Sequence, residues 1–192
     1  MNAPTPRILL VGMMGAGKTT IGRLVAGRVG WEYRDSDADV EAMTGMTVPE
    51  LFAREGEAAF RRAEAAVLAA ACDDATPSVV SVAGGAVLNP ETRRRIAACG
   101  TVVWLRARPD TLAGRVGDGA GRPLLDDDPA AALVQLNRIR APLYAEVADV
   151  VIDVDELQPE EVARRILTAA SARVPGIPVA GAGGSDATSK SN

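Results

Sequence analysis

A glycine-rich segment near the start of the chain has the spacing of a phosphate-binding loop. The residues Gly12-Met-Met-Gly-Ala-Gly-Lys18-Thr19 fit G-x-x-x-x-G-K-[ST], follow the apolar run 8–11 and precede apolar residues at helical spacing. Glycines there let backbone N–H groups turn inward around a phosphate, and the next helix adds its positive N-terminal end. Lys18 would reach the β- and γ-phosphates and the Thr19 hydroxyl would bind Mg²⁺. A plain strand-to-helix turn is the alternative, but the flanking pattern favours binding of a nucleoside triphosphate.

Two aspartates, Asp35 and Asp37, follow the second predicted strand, residues 31–34. Ligands of an open α/β sheet bind beyond the carboxyl ends of its strands. Residues two apart can direct one carboxylate toward Mg²⁺ and the other toward an incoming hydroxyl, whose proton it would take. The alternative is helix capping, in which Ser36 or Asp37 caps a helix that starts at Ala38.

Weaker candidates are a late aspartate and four scattered arginines. Asp153 ends an apolar run and superficially resembles the acidic residue that often accompanies a phosphate-binding loop, but its late position favours a structural strand end before a solvated turn. The arginines could supply forks for a substrate carboxylate and for phosphate charge, although each alone is typical of a solvated face. They are Arg61, Arg115, Arg122 and Arg140.

Short β-rich runs alternate with helical patterns, which predicts an α/β domain with a parallel sheet covered on both faces. The predicted strands are 8–11, 31–34, 79–82, 101–105 and 150–154. The predicted helices are 18–29, 48–54, 57–72, 90–98, 111–116, 130–144 and 159–172. One domain over residues 7–174 is expected, with a disordered start at 1–6, a mobile glycine-rich loop at 117–123 and a disordered tail at 175–192.

Composition excludes several classes of function. The net charge of −4 favours neither nucleic acid nor an anionic membrane, and no apolar run approaches the ~20 residues of a membrane span. Histidine is absent, which excludes His-based catalysis and His-ligated metals. Cys72 and Cys99 have no metal-binding spacing, so we expect two buried apolar thiols and a reducing cytoplasm.

The phosphate-binding loop, the aspartate pair and the arginines described above, with their surrounding motifs, give the chain a resemblance to the shikimate kinases. These are P-loop enzymes of the nucleoside monophosphate kinase structural group. The likeness covers about residues 7–172, and six motifs occur in the family's order. They are Gly12 to Thr19, Asp35-Ser-Asp37, Phe60-Arg61-Arg62, Ala83-Gly84-Gly85-Ala86-Val87, Gly121-Arg122-Pro123-Leu124-Leu125 and Arg140-Ala-Pro-Leu-Tyr144.

The resemblance implies a three-layer P-loop kinase fold with five parallel strands in the order 2-3-1-4-5. It implies a substrate-binding region at about 35–62 and a mobile lid at about 117–128. The implied reaction is ATP- and Mg²⁺-dependent phosphorylation of the 3-hydroxyl of shikimate to shikimate 3-phosphate, a step toward the aromatic amino acids. The implied enzyme is a cytoplasmic monomer that acts on small molecules, with no nucleic acid or membrane partner.

Two alternatives remain at this stage. A related small-molecule kinase, such as a gluconate kinase, would keep the phosphate-binding loop and a lid but need not keep Arg61 and Arg140. A nucleotide-dependent switch without turnover is a different class of protein. The chain has no N-K-x-D guanine-reading motif and retains Lys18 and Asp37, which disfavours the switch.

The resemblance also implies a role for each matched residue. Asp37 would hold the ring hydroxyls and act as base, Asp35 would act on Mg²⁺ through water, and Arg122 would close over the transferring phosphate. The implied catalytic residues are Lys18, Asp37 and Arg122. The implied ATP-binding residues are Gly15, Ala16, Gly17, Lys18, Thr19, Thr20, Arg115, Arg122 and Gln158. The implied shikimate-binding residues are Asp37, Arg61, Gly84, Gly85 and Arg140, and the implied Mg²⁺ residues are Thr19 and Asp35.

One position departs from the family pattern. The family usually has three consecutive glycines after the third strand, and here the first of them is Ala83. A Cβ at that position disfavours positive φ. If the backbone there has ordinary strand dihedrals the change is harmless, and we expect a functional enzyme.

Overall fold

Five parallel strands form the central sheet of the computed structural model, which describes residues 5–116, 128–173 and 177. The strand order is β2-β3-β1-β4-β5, which confirms the predicted topology. The strands are β1 Arg7–Val11, β2 Glu32–Asp35, β3 Ser78–Ser81, β4 Thr101–Arg106 and β5 Val150–Asp153. β1 lies at the centre and is buried along its whole length, because helices cover both faces of the sheet.

Seven helices surround the sheet within the described part of the chain. They are α1 Lys18–Val29, α2 Ser36–Thr44, α3 Val48–Asp73, α4 Pro90–Cys99, α5 Pro109–Val116, α6 Pro129–Val147 and α7 Pro159–Ser171, and a short 3₁₀ turn covers Ala86–Leu88. The predicted helices are confirmed with small differences in their bounds. The two predicted segments 48–54 and 57–72 form one helix with a kink at Gly56, where φ is 81°.

Helix α2 was foreseen only as the capping alternative, and its cap differs from the expected one. The side chain of Asp35, not that of Ser36 or Asp37, accepts a hydrogen bond from the Asp37 amide at the start of the helix. α2 packs on α3, and their apolar side chains form a second, smaller core beside the main one. Its buried members are Val40, Leu51, Phe60, Ala63 and Val67. This small core holds α2, which directly follows β2, against both segments of α3.

The two cysteines form a disulfide, so the expectation of two free buried thiols is wrong. Cys72 and Cys99 are 27 residues apart in sequence, and their Cα atoms lie 5.3 Å apart where α3 and α4 both end. In the sequence, each cysteine alone resembles a small apolar residue. Only the packing of α3 beside α4 brings the two sulfurs together.

The expected lid and most of the expected tail lie outside the described residues. Ile177 is the one described residue of the expected tail, and it is 6% exposed within the main apolar core. Its burial differs from the disorder that we expected at that position. Among the described residues, none of the helices combines the length and the apolar character that crossing a bilayer requires.

Candidate active site

The phosphate-binding loop connects β1 to α1 and depends on three glycines with positive φ. These are Gly12, Gly15 and Gly17, with φ values of 142°, 81° and 90°. A Cβ on Gly12 would lie 2.6 Å from the Leu105 carbonyl oxygen, so the loop packs closely against β4. The Lys18 ammonium donates to the carbonyl oxygens of Gly12 and Met13, at 2.9 and 3.1 Å. The ammonium is therefore held beside the loop that would surround a phosphate.

Beside the loop, a hydroxyl and a carboxylate form the group that could hold a cation. Thr19 Oγ1 donates to Asp35 Oδ2 at 3.1 Å, and both residues line a cavity of about 310 Å³, called the cation-side cavity below. Tyr33 Oη also lies 2.9 Å from Asp35 Oδ2 and 2.9 Å from Ser81 Oγ. Burial is the main cause that raises the pKa of Tyr33, so its hydroxyl stays protonated at neutral pH.

Another cavity, of about 420 Å³, lies beside the loop, between α1 and the start of α7. Arg115 lines it and donates from Nη2 to the Val154 carbonyl oxygen at 2.9 Å. Gln158, the cap residue of α7, lines the same cavity together with the loop residues Ala16 and Gly17 and with Thr20 of α1. The residues expected to bind the ATP base therefore lie together, next to the phosphate-binding loop.

A cavity of about 320 Å³, called the acceptor cavity below, lies between the loop, α2, α3, α6 and the turn after β3. Its lining includes apolar side chains, among them Val48, Phe52 and Phe60. The same lining brings together charged side chains and two glycines that are far apart in the sequence: Lys18, Asp37, Arg61, Glu64, Gly84, Gly85 and Arg140. A pocket of this size with a few converging polar groups is typical of a small-molecule site.

Lys18 and Asp37 line both the acceptor cavity and the cation-side cavity. Asp37 is open to solvent, yet partial desolvation in the cleft is the main cause that raises its carboxyl pKa. The charge of Asp35 raises the pKa of Asp37 further, while Lys18 and Arg61 lower it. Asp37 is thus an acidic group at the junction of two cavities, near the cationic side chains of Lys18 and Arg61.

Arg61 reaches the acceptor cavity because two carboxylates and a glycine hold it there. Its Nη1 lies 3.0 Å from Glu64 Oε2 and its Nη2 lies 3.0 Å from Glu57 Oε1. A Cβ on Gly85 would lie 2.5 Å from Arg61 Nη2, so only glycine leaves room for the guanidinium. Burial raises the pKa of the Glu64 carboxyl to about 7, against the lowering effect of Arg61 and Arg140.

Arg140 enters the cavity from α6 and is 2% exposed. Its Nε has no hydrogen-bond partner among the described residues, which leaves a buried donor for a ligand to satisfy. Tyr144, one helical turn later, donates from its hydroxyl to the Gly84 carbonyl oxygen at 2.7 Å. Burial raises the pKa of Tyr144 to about 12.

Ala83, the departure from the family pattern, lies in the wall that the acceptor and cation-side cavities share. Its amide donates to Ser36 Oγ at 2.8 Å, and its carbonyl oxygen accepts from the Ala86 amide at 3.0 Å. The amide and the carbonyl oxygen of Ala83 therefore both have hydrogen-bond partners, although alanine replaces the glycine that is usual in the family.

Among the weaker candidates, Asp153 has the structural role that the sequence favoured. Asp153 ion-pairs with Arg106 and belongs to none of the cavities described above, so it acts as a strand-end residue. Arg122 lies outside the described residues. Sequence reasoning missed Glu64, Tyr33 and Ser81, although the spacing of Arg61 and Glu64 on a predicted helix would have indicated their ion pair.

The chain is similar to known proteins along most of its length. The family model for shikimate kinase matches residues 14–171. A shikimate kinase of Pseudomonas syringae pv. tomato is 45% identical over 161 residues, which cover 83% of this chain and 93% of that protein.

Solved structures give the same result. The chain matches the shikimate kinase of Acinetobacter baumannii in complex with shikimate with a TM-score of 0.84 and 37% identity, over 88% of this chain and 94% of that one. A gluconokinase from Sinorhizobium meliloti, at 19% identity and a TM-score of 0.57 over 90% of this chain and 95% of that one, shares the fold alone. The chain is a member of the shikimate kinase family.

Proposed function

We propose that the protein transfers the γ-phosphoryl group of ATP to the 3-hydroxyl of shikimate, giving ADP and shikimate 3-phosphate. The observation that carries the proposal is that Lys18 and Asp37 line both the cavity of Arg61 and Arg140 and the cavity of the phosphate-binding loop. A phosphoryl group held at the loop and an acceptor held between the arginines would meet at these two side chains. Phosphoryl transfer is catalysed mainly by such positioning and by electrostatic stabilisation.

At the acceptor end, Arg61 and Arg140 would bind the carboxylate of shikimate. Two guanidinium groups present planar pairs of donors that match a carboxylate, a geometry that lysine cannot reproduce. The unpartnered Nε of Arg140 supports this role, because a buried donor without an acceptor is costly. The apolar side chains of the same cavity, Phe52 and Phe60, would pack against the ring of the substrate.

Asp37 would orient the acceptor hydroxyl and take its proton. Its raised carboxyl pKa makes it a better base than an ordinary aspartate, because a base is most effective when its pKa is close to the working pH. Lys18 would stabilise the charge on the transferring group from the other side. On the nucleotide side, Gly15, Ala16, Gly17 and Thr20 would contact the phosphates, and Arg115 and Gln158 would contact the base.

The residues present fit Mg²⁺, which would neutralise phosphate charge when bound. The Thr19 hydroxyl and the Asp35 carboxylate are hard oxygen groups that lie 3.1 Å apart. Mg²⁺ in kinases uses one or two protein ligands and takes the rest from phosphates and water. In keeping with this, the part of the chain that the structure describes holds no cluster of three or more acidic, cysteine or histidine ligands.

Three further expectations belong to the proposal. Arg122 would stabilise the phosphate charge from the lid, residues 117–128. The enzyme would act as a monomer on small-molecule substrates. It would work in the cytoplasm, and the Cys72–Cys99 disulfide is of a kind that is rare in such a reducing compartment.

The test is steady-state ADP release with Mg-ATP and shikimate, gluconate or no acceptor, with the product position assigned by ³¹P NMR. We expect turnover only with shikimate and a single 3-phosphate product. ADP release that ignores shikimate would remove the substrate assignment and leave nucleotide binding intact. Gluconate-dependent release would favour the alternative kinase.

Neighbouring arginines on α3 give a matched pair for the carboxylate role. Arg61 faces the cavity, whereas Arg62 is exposed. Arg61→Lys is expected to raise the KM for shikimate about 10- to 100-fold, the loss of a charge-assisted bidentate contact, and to leave the KM for ATP unchanged. Arg62→Lys should leave both constants within twofold of the wild type.

A further inference from the structure

We propose that Tyr33 is a positioning residue for the cation side of the site. Its hydroxyl holds the Asp35 carboxylate through a chain of two hydrogen bonds, called the relay below, that runs from Ser81 through Tyr33 to Asp35. The inference rests on the proposed function in one respect, since it takes Asp35 as the carboxylate that faces the Mg²⁺ of ATP.

The Asp35 carboxylate is held by three donors. Its Oδ2 accepts from Thr19 Oγ1 at 3.1 Å and from Tyr33 Oη at 2.9 Å, and its Oδ1 accepts from the Asp37 amide at 3.2 Å. The Thr19 hydroxyl belongs to the phosphate-binding loop and the Asp37 amide to the start of α2. Tyr33 is therefore the one of these three donors to the Asp35 carboxylate that lies within a strand of the sheet.

The direction of the relay follows from the chemistry of its members. An ionised carboxylate only accepts hydrogen bonds, so the single proton of the Tyr33 hydroxyl goes to Asp35. The Ser81 hydroxyl, 2.9 Å from Tyr33 Oη, must then donate to the tyrosine oxygen. Ser81 is 2% exposed and pairs in register with Asp35 across β2 and β3, so the relay starts from a buried, fixed point.

The tyrosine ring is held in place from the other side by α1. A Cβ on Gly22 would lie 2.5 Å from Tyr33 Cε2, so the glycine in this helix makes the space that the ring fills. The guanidinium of Arg23 lies 5.6 Å from the ring centroid, over its face. α1 also carries Lys18 and Thr19 at its start, so the ring fixes the distance between the loop residues and Asp35.

A group that holds a metal-facing carboxylate commonly affects metal affinity by about 10- to 100-fold. Tyr33→Phe keeps the ring and its packing against Gly22 but removes the donor to Asp35. We therefore expect weaker binding of a divalent cation in the nucleotide complex, with the acceptor cavity unaffected, because Tyr33 is not among the residues that line it.

The experiment measures Mn²⁺ binding to the full chain in complex with ADP, by electron paramagnetic resonance, for the wild type and for Tyr33→Phe. The expected result is a Kd for Mn²⁺ raised about 10-fold, an unchanged KM for shikimate, and a kcat that recovers at high Mg²⁺. Tyr144→Phe is the control, since it removes the hydroxyl of the other tyrosine from the acceptor side and should leave the Kd for Mn²⁺ unchanged.

A lowered melting temperature with an unchanged Kd for Mn²⁺ would overturn the proposal and leave Tyr33 with a packing role alone. If Tyr33→Phe fails to fold, Ser81→Ala tests the same relay, with an expected rise in the Kd for Mn²⁺ of about threefold, the size of one neutral hydrogen bond. An unchanged value in that variant would also overturn the relay. Failure of shikimate turnover in the wild type would refute the proposed function without changing the Mn²⁺ result.

Discussion

The hydroxyl of Tyr144 donates a hydrogen bond of 2.7 Å to the carbonyl oxygen of Gly84, 60 residues earlier in the chain. Tyr144 is fully buried, its ring centroid lies 5.8 Å from that of Trp104, and its hydroxyl lies 3.8 Å from Met13 Sδ. This side chain therefore connects α6, the turn after β3 and the phosphate-binding loop. It lies one helical turn from Arg140, which enters the acceptor cavity.

Removal of this hydroxyl should affect the acceptor side of the reaction. Tyr144→Phe leaves the Gly84 carbonyl oxygen without its donor, at an expected cost of about 1–3 kcal/mol in the free energy of unfolding. We expect the KM for shikimate to rise severalfold and the KM for ATP to stay unchanged. Urea unfolding and steady-state kinetics measure both effects, and an equal rise in the two KM values would contradict the local role of Tyr144.

Gly85 is expected to be essential for substrate binding for a steric reason alone. Its φ of −89° suits any residue, but an added Cβ would lie 2.5 Å from Arg61 Nη2. Gly85→Ala should therefore displace the guanidinium and raise the KM for shikimate at least 10-fold, the loss of one charge-assisted contact. Calorimetric titration with shikimate would measure the same loss directly.

Gly27 provides the matched control for that substitution. It lies in α1, and a Cβ there would meet nothing within 4 Å. Gly27→Ala should leave kinetics unchanged and stabilise the protein by about 0.5–1 kcal/mol, because alanine has the higher helix propensity. A normal KM for shikimate in Gly85→Ala would show that Arg61 does not need its present position.

Glu64 should make the stability of the protein depend on pH. Burial raises the pKa of its carboxyl to about 7 from 4.5, so between these values the folded protein holds a proton that the unfolded chain has lost. The free energy of unfolding should then fall as the pH rises from about 5 to 7 and level off above, by about 3 kcal/mol at most. Urea unfolding at a series of pH values measures the slope.

Glu64→Gln should flatten this profile, because glutamine does not titrate. Glu57 contacts the same arginine from an exposed position, with its side chain 57% accessible, so Glu57→Gln should keep the slope. A profile that is equally steep in the wild type and in Glu64→Gln would assign the pH dependence to other groups.

The Cys72–Cys99 disulfide should contribute to stability and not to catalysis. A cross-link between residues 27 apart restricts the unfolded chain by about 3.5 kcal/mol in the chain-entropy model. Neither cysteine lines the acceptor cavity, the cation-side cavity or the cavity at α7. Reduction, or the pair Cys72→Ser and Cys99→Ser, should lower the melting temperature and leave kcat within twofold. An unchanged melting temperature after reduction would show that the thiols are free in solution.

Local patterns in the sequence were enough to predict most helices and strands, and to identify functional residues that lie within a single motif. Helix α1 was predicted with its observed bounds, Lys18–Val29, because a strand, a glycine loop and an apolar helical period follow one another without interruption. The order of the strands came from the resemblance to a family and not from periodicity, since no local signal specifies which parallel strands are neighbours. Helix α2 was the weakest prediction, as it buries only Ser36 and Val40 and has little apolar period.

The tertiary structure decided which distant side chains share an environment. Folding buries Glu64 and so raises the pKa of its carboxyl to about 7, against the lowering effect of Arg61 and Arg140, which the fold also brings beside it. Tyr33 and Ser81 meet because β2 and β3 pair in one register, and Cys72 meets Cys99 because α3 and α4 end side by side. A sequence determines periodicity and local turns through neighbouring residues. Contacts across 27 to 60 residues depend on how whole helices and strands pack, so they become visible only in the folded chain.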